Sequence, residues 1–168
     1  MIKDLEFKIA GFTLVELLVV AGVLAALGTL VMISFTGARS SARDTQRKSD
    51  IKQYQTALEQ FANRNNSLYP GTNDTIINTG GGNTLCGYVE LTSCSTDPEG
   101  TDHYEYSANG SAGGTASATQ YVLWARLERT PLGGNVNYWV TCSVGRSGCV
   151  IEADEPTNST CPATLDPC

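Results

Sequence analysis

The hydrophobic residues of this chain form one long run near the N-terminus. Residues 12–35 are apolar apart from a few small polar side chains and carry a single charge, the carboxylate of Glu16. At about 1.5 Å per residue such a run makes a helix of about 36 Å, which is long enough to cross a bilayer. The pattern therefore predicts a transmembrane or filament-core helix over residues 12–35.

A different pattern follows the apolar run. Ile51, Tyr54, Leu58 and Phe61 recur at spacings of three and four residues, which is typical of one apolar stripe along a helix. The opposite face of the helix carries charged and amide side chains. We predict an amphipathic continuation of the same helix over residues 36–66, packed against a sheet formed later in the chain.

Alternation with a period of two residues appears in the C-terminal half. Residues 120–127 and 136–144 alternate most clearly, and residues 104–106 form a shorter segment of the same kind. Residues 108–118 are rich in Gly, Ser, Ala and Thr and are predicted to be an exposed loop. Together these patterns predict a globular β-rich head over residues 67–168, with the hairpin turn at Pro131, Gly133 and Gly134.

The predicted fold class is α+β. A long N-terminal helix, transmembrane in its first half, packs against a small antiparallel sheet whose loops are held by disulfides. The six cysteines all lie in the head, and an even count in a small domain favours disulfides formed outside the cytoplasm. Pairing of nearest neighbours is the simplest arrangement, although the sequence leaves the pairing open. The disulfide candidates are Cys86, Cys94, Cys142, Cys149, Cys161 and Cys168.

A basic segment after the apolar run opposes this placement of the head. By the positive-inside rule, basic residues next to a membrane segment favour the cytoplasmic side. We give the cysteines more weight, because charges on a helix can be covered in an assembly. The residues are Arg39, Arg43, Arg47, Lys48 and Lys52.

Charge and composition exclude several function classes. The chain has 11 basic and 17 acidic residues, and only three of the basic ones lie in residues 65–168. Such an acidic head argues against direct nucleic-acid binding, which needs clustered Lys and Arg. The only histidine, His103, lies in a polar run and does not suggest an oriented catalytic base. A zinc site would require cysteine pairs that are more closely spaced in the sequence than these. We therefore expect no enzyme activity and no cofactor beyond a possible calcium ion.

The start of the apolar run has a specific order of residues. Gly11 is followed by Phe12, Thr13, Leu14, Val15 and Glu16, and then by Leu-Leu-Val-Val. This order resembles the class III signal of type IV pilins and of the pseudopilins of type II secretion systems. The resemblance implies a leader over residues 1–11, cleavage after Gly11, N-methylation of Phe12, and a role for Glu16 in packing subunits into a filament.

The same resemblance implies partners and a location. The partners would be other copies of the chain, joined through their N-terminal helices, a prepilin peptidase that is also the N-methyltransferase, and a pilus assembly platform with its ATPase. The precursor would lie in the bacterial inner (cytoplasmic) membrane as a single-pass protein. The mature chain would serve in an extracellular pilus for adhesion, motility or DNA uptake, or in a periplasmic pseudopilus.

Two alternatives to a pilus subunit remain open. The first is a major pseudopilin of a type II secretion system. Asp97-Pro98-Glu99-Gly100, followed by Tyr104-x-Tyr106, is similar to a segment that helps build a calcium site in major pseudopilins, so Asp97, Glu99 and Asp102 are candidate calcium ligands. A solvated acidic loop would have the same composition. The second alternative is a monomeric, membrane-anchored extracellular binding module, which would not need Glu16.

Overall fold

The structure is a computed structural model that describes most of the chain after Gly11. The described residues are 11–72, 77–78, 84–100, 104–129, 135–152, 156 and 159–167, with only the backbone described at 30–36, 77–78 and 152. The chain divides into two compact units, residues 1–39 and residues 40–168. The predicted leader lies outside the described residues except for Gly11.

The first unit contains the N-terminal part of helix α1, which spans Leu14–Arg64. Thr13 precedes the helix, and its side-chain Oγ1 accepts a hydrogen bond from the Glu16 backbone N–H at 3.2 Å. This contact satisfies one of the amide groups that every helix leaves unpaired in its first turn. A threonine cap therefore sets the start of α1.

The predicted transmembrane helix over residues 12–35 is wrong. Among the residues that the structure describes, no helix is both long and apolar enough to cross a membrane. The prediction included residues 30–35, whose side chains lie outside the described residues, so the described apolar run ends at Thr29. A span needs about 20 consecutive, predominantly apolar residues. The predicted location as a single-pass membrane protein is wrong for the same reason.

The second unit begins with residues 40–64 of α1. Its predicted apolar stripe is confirmed, because Ile51, Tyr54 and Leu58 are buried and Phe61 is partly buried. The helix ends as Asn66 adopts a left-handed backbone conformation with φ of 55°, and the Ser67 N–H donates to the Ala62 carbonyl at 2.9 Å. Asparagine tolerates this conformation better than most residues, which explains the stop.

The described part of the head contains one short helix and seven strands. A two-stranded sheet pairs β1 with β4, and a five-stranded antiparallel sheet has the order β2-β3-β5-β6-β7. The bounds are β1 Tyr69–Pro70, β2 Ile77–Asn78, α2 Leu85–Tyr88, β3 Tyr104–Ala108, β4 Ala116–Ala118, β5 Tyr121–Leu127, β6 Val136–Cys142 and β7 Ser147–Glu152.

Strand β5 lies in the middle of the larger sheet and is buried on both faces. Tyr121, Leu123 and Ala125 join the core beneath α1, while Val122 and Trp124 belong to a second core on the opposite face. Successive side chains of a strand point to opposite faces, so a strand that is buried on both must be apolar at nearly every position. The run Tyr-Val-Leu-Trp-Ala meets that condition.

The second core is closed by the C-terminal segment. Tyr138, Val140 and Cys142 of β6 and Val150 of β7 form its buried part, and Cys161 and Leu165 pack against it. The predicted common face of alternate residues in 136–144 is thus confirmed as far as Cys142. Beyond the strand, Val144 is 64% exposed, so its predicted place on that face is wrong.

The sequence predicted that residues 108–118 form an exposed loop, and this prediction is wrong in part. Its end forms β4, which pairs with β1, and Ala118 is fully buried. Small side chains permit this close approach, because a Cβ on Gly71 would lie 2.3 Å from the Ser117 hydroxyl. The predicted hairpin between β5 and β6 is confirmed by their antiparallel register, while its turn at residues 131–134 lies outside the described residues.

Candidate functional site

The N-terminal part of α1 presents large apolar side chains to solvent in every direction. Leu14 is 82% exposed, Leu18 66% and Val20 51%. A helix that is apolar all round is normally buried, because its side chains gain free energy on leaving water. We call this region the apolar helix surface; its members are Phe12, Leu14, Val15, Leu17, Leu18, Val19, Val20, Val23, Leu24 and Leu27.

Glu16 is the one charged side chain within the apolar helix surface. Its backbone N–H is bound by Thr13, whereas its exposed carboxylate makes no hydrogen bond or ion pair with any residue that the structure describes. The order Thr-x-x-Glu is that of a capping box, in which the glutamate also favours the positive end of the helix dipole. Glu16 therefore has a local role available besides the predicted role in assembly.

Gly11 and Phe12 lie before the first turn of α1. Both are exposed, Phe12 to 80%, and neither is helical. A peptide bond in non-helical, exposed backbone can enter a protease site without unwinding a helix. The structure therefore places the predicted cleavage position, between Gly11 and Phe12, at an accessible point.

A cluster of charged side chains joins α1 to the head within the second unit. Arg47 is fully buried and makes two hydrogen bonds to Asp97, from Nε at 2.6 Å and from Nη2 at 3.0 Å. Its Nη1 donates to Asp44 at 3.0 Å and to Glu128 at 2.7 Å. Arg43 donates to both carboxylate oxygens of the same Glu128. The guanidinium of Arg47 is thus hydrogen-bonded to three carboxylates, and the carboxylate of Glu99 lies 3.7 Å from its Nη2.

Hydrogen bonds and charge set the protonation of this cluster. Burial alone would lower the pKa of Arg47, but the hydrogen bond and charge of Asp97, with the hydrogen bonds of Glu128 and Asp44, raise it above its usual value. The hydrogen bond from Arg43 lowers the pKa of Glu128. Both groups are therefore held in their charged forms, and the cluster serves to fasten α1 to the strands.

The candidate calcium ligands are placed differently from the prediction. Both carboxylate oxygens of Asp97 accept hydrogen bonds from Arg47, and Oδ1 also accepts one from the backbone N–H of Glu99. The Glu99 carboxylate lies 3.5 Å from Arg43. Asp102 and His103 lie outside the described residues. Among the described residues, no group of three or more His, Cys, Asp or Glu side chains is placed to hold a metal ion.

Two disulfides are defined among the cysteines. Cys86–Cys94 closes the short loop expected from nearest-neighbour pairing. The expected pairs Cys142–Cys149 and Cys161–Cys168 are wrong, because Cys142 is bonded to Cys161, and Cys149 takes part in another disulfide. Cys142 lies in the second core, so its partner must come from the segment that covers this core. Disulfides of this kind point to an oxidising, extracellular environment.

A cavity of about 360 Å³ lies between α1 and the ends of strands β5, β6 and β7. Lys48 and Arg129 line it, and the Lys48 Nζ lies 4.9 Å from the centre of the Trp139 ring. Sequence reasoning missed this site. The residues come from four separate elements and the C-terminal segment, so no local motif could have indicated it.

Comparisons with known proteins identify no relative of this chain. No family model matches the chain, and searches of curated proteins and of solved structures find no match. The functional assignment therefore depends on the residues and geometry described above.

Proposed function

We propose that this protein is a structural subunit of a type IV pilus-like filament, in which copies of the chain pack through their N-terminal helices. The observation that carries the proposal is the uncovered apolar helix surface, which contains a single carboxylate four residues after Phe12. Contiguous exposed apolar surface of this kind marks a site of association. Adhesion, motility and DNA uptake are all compatible functions.

Association would be driven by burial of the apolar helix surface. Each Leu or Val that moves from water into close contact with neighbouring helices contributes about 1.5–3 kcal/mol. Leu14, Leu17 and Leu24 are each more than half exposed and available for such contacts. Because the surface surrounds the helix, one helix can be covered by several neighbours, as a helical filament requires.

Glu16 would determine the register between neighbouring helices. A carboxylate buried among apolar side chains needs a cation close to it. Cleavage after Gly11 creates one, the α-amino group of Phe12. Since Glu16 lies four residues beyond Phe12, a neighbour offset along the filament can bring its own Phe12 amine to Glu16. The prepilin peptidase would make this amine and methylate it, and the assembly ATPase would drive polymerisation.

The pilus is favoured over the calcium-dependent pseudopilus by the charged cluster. In the pseudopilin alternative Asp97 would bind calcium, whereas here both of its carboxylate oxygens are bound to Arg47. A cation and a buried guanidinium would compete for the same oxygens. This observation supports the proposal of a pilus subunit over that of a pseudopilin.

The deciding experiment compares three variants of the chain, co-expressed with a prepilin peptidase and assembly machinery. Glu16→Gln keeps a side chain that can complete the capping box but removes the charge. Thr13→Ala removes the cap, at a cost of about 1 kcal/mol, and keeps the charge. Glu16→Ala removes the charge together with the side chain beyond Cβ.

Filament yield in the sheared surface fraction is the measurement. We expect Glu16→Gln and Glu16→Ala to reduce it roughly ten-fold or more, because the Phe12 amine would be buried without a partner. Thr13→Ala should retain most filaments. Intact mass must show in each case a chain that begins at methylated Phe12, so that failed processing is not mistaken for failed assembly. A normal yield from Glu16→Gln would refute the pairing.

A further inference from the structure

The cavity described above lies wholly within the head unit and is separate from the apolar helix surface. Its walls are α1 on one side, with Ser41, Thr45 and Lys48, and the strand ends on the other, with Leu127 and Ile151. The volume of about 360 Å³ is in the range of small-ligand sites. We call it the Lys48–Arg129 pocket.

Two cations of the pocket have no anionic partner among the described residues. Lys48 contacts the face of Trp139 but forms no ion pair, and the guanidinium of Arg129 forms no hydrogen bond or ion pair. The contact with Trp139 orients the Lys48 ammonium and leaves its three N–H donors available. Lys48 comes from α1, and Arg129 is one of only three basic residues in residues 65–168, against eleven acidic ones.

The two carboxylates of the pocket, Asp44 and Asp166, differ in their hydrogen bonding. Asp44 is fully engaged, since its oxygens accept hydrogen bonds from Arg47 and from the backbone N–H groups of Glu128 and Arg129. Asp166 is exposed, and its carboxylate makes no hydrogen bond or ion pair with a described residue. The pocket thus offers two cationic donors and one anionic acceptor to a ligand.

These groups match the chemistry of a peptide with an acidic side chain. A carboxylate can receive charge-assisted hydrogen bonds from Lys48 and Arg129, and a backbone N–H can donate to Asp166. Leu127 and Ile151 supply apolar contact for the carbon atoms of the ligand. A phosphate group fits less well, because the nearby backbone amides of Glu128 and Arg129 already donate to Asp44.

We propose that the Lys48–Arg129 pocket is a binding site for a peptide segment with an acidic side chain, with Lys48 and Arg129 as the residues that hold its carboxylate. This site would let the subunit bind an acidic protein partner through its head, independently of assembly through α1.

The test uses the full-length chain, kept monomeric in a mild non-ionic detergent at low ionic strength. The probe is the capped tripeptide acetyl-Ala-Glu-Ala-amide, titrated by NMR chemical shifts. Acetyl-Ala-Gln-Ala-amide, which lacks only the charge, is the matched control, and glucuronate tests a carboxylate on a sugar. We expect saturable binding of the Glu peptide and about ten-fold weaker binding of the Gln peptide, as for the loss of one charge-assisted contact.

Variants locate the site. Lys48→Met combined with Arg129→Gln should weaken binding of the Glu peptide about ten-fold or more, while Lys48→Arg should retain it. Lys52→Met and Arg64→Gln remove exposed charges outside the pocket and should leave binding unchanged. The proposal is overturned if the Glu peptide does not bind, if the Gln peptide or glucuronate binds as tightly, or if the double variant binds like the parent.

Discussion

Arg47 has a structural role, a buried ion pair, that its basic neighbours in the sequence do not indicate. It lies among Arg43, Lys48 and Lys52, and the sequence analysis treated these residues as one basic segment next to the apolar run. In the structure, Arg47 has no exposed surface and is bound by three carboxylates that lie up to 81 positions away. A buried charge is tolerated only when it is paired and hydrogen-bonded.

Replacement of Arg47 by methionine should strongly destabilise the head. Asp97 and Asp44, both buried, would lose their main cationic partner, and removing one member of a buried ion pair costs about 3–5 kcal/mol. The free energy of unfolding, measured by chemical denaturation at neutral pH, checks this.

Lys52→Met is the control for that measurement. It removes one charge from an exposed position of the same helix and should change stability by about 0.5 kcal/mol or less. If Arg47→Met were no more destabilising than Lys52→Met, the charged cluster would not be what fastens α1 to the strands.

At the scale of elements, the C-terminal segment takes the place that a second helix layer has in many α/β folds. It covers the face of the sheet opposite α1, through Cys161 and Leu165. Asp166 also forms a bridge to Cys149 of β7, with hydrogen bonds of 2.8 and 2.9 Å. A segment with so few apolar residues needs a covalent link to remain on the sheet.

Removal of the Cys142–Cys161 bond should therefore cost more stability than removal of Cys86–Cys94. The first bond joins residues 19 positions apart and the second residues 8 apart, and longer loops restrict the unfolded chain more. We expect a loss of about 3–4 kcal/mol for Cys142→Ala with Cys161→Ala, and about 2–3 kcal/mol for Cys86→Ala with Cys94→Ala.

Chemical denaturation of the two double variants beside the parent measures this difference. Intact mass under non-reducing conditions must show that the remaining disulfides are formed. An equal or reversed order of the two losses would contradict a closing role for the C-terminal segment.

At the scale of the whole molecule, tyrosines connect the helix to both sheets. The hydroxyl of Tyr104 donates to Asp50 at 2.7 Å, and those of Tyr69 and Tyr121 each donate to Glu59 at 3.2 Å. Burial raises the pKa of Tyr104, Tyr106 and Tyr121 well above the ordinary value of 10.0, and nearby negative charge adds to the shift at Tyr104 and Tyr121.

These raised pKa values predict cooperative unfolding in alkali. The folded state holds these tyrosines neutral, while the unfolded state releases their protons above about pH 10. Stability is therefore complete below pH 10 and is lost progressively as the pH rises above it. We expect the absorbance of ionised tyrosine at high pH to rise together with the loss of the far-UV circular dichroism signal.

Tyr106→Phe gives the matched test of this pH dependence. It should reduce the slope of stability against pH above pH 10, because one fewer group ionises only on unfolding. Ionisation of all the tyrosines near pH 10 with an unchanged circular dichroism signal would contradict the prediction.

Local periodicity accounts for the parts of the fold that the sequence predicted correctly. Each of these patterns repeats over several residues, so one deviating residue does not change the prediction. The patterns are the apolar stripe of Ile51, Tyr54 and Leu58 and the alternation in β5 and β6. The double burial of β5 and the strand β4 were missed, because both depend on which distant segment covers a strand. The transmembrane prediction is wrong because no helix among the described residues is long and apolar enough to cross a membrane.

The sequence alone determined the apolar stripe, the alternating strands, the even cysteine count and the order of Gly11, Phe12 and Glu16, because each of these is a property of residues close together in the chain. Only the tertiary structure decided that Arg47 is buried against Asp97, that Cys142 pairs with Cys161, and that Lys48 and Arg129 share a pocket. The physical reason is that charge pairing, disulfide geometry and cavity shape depend on distances in space, and many chain separations are compatible with each of them.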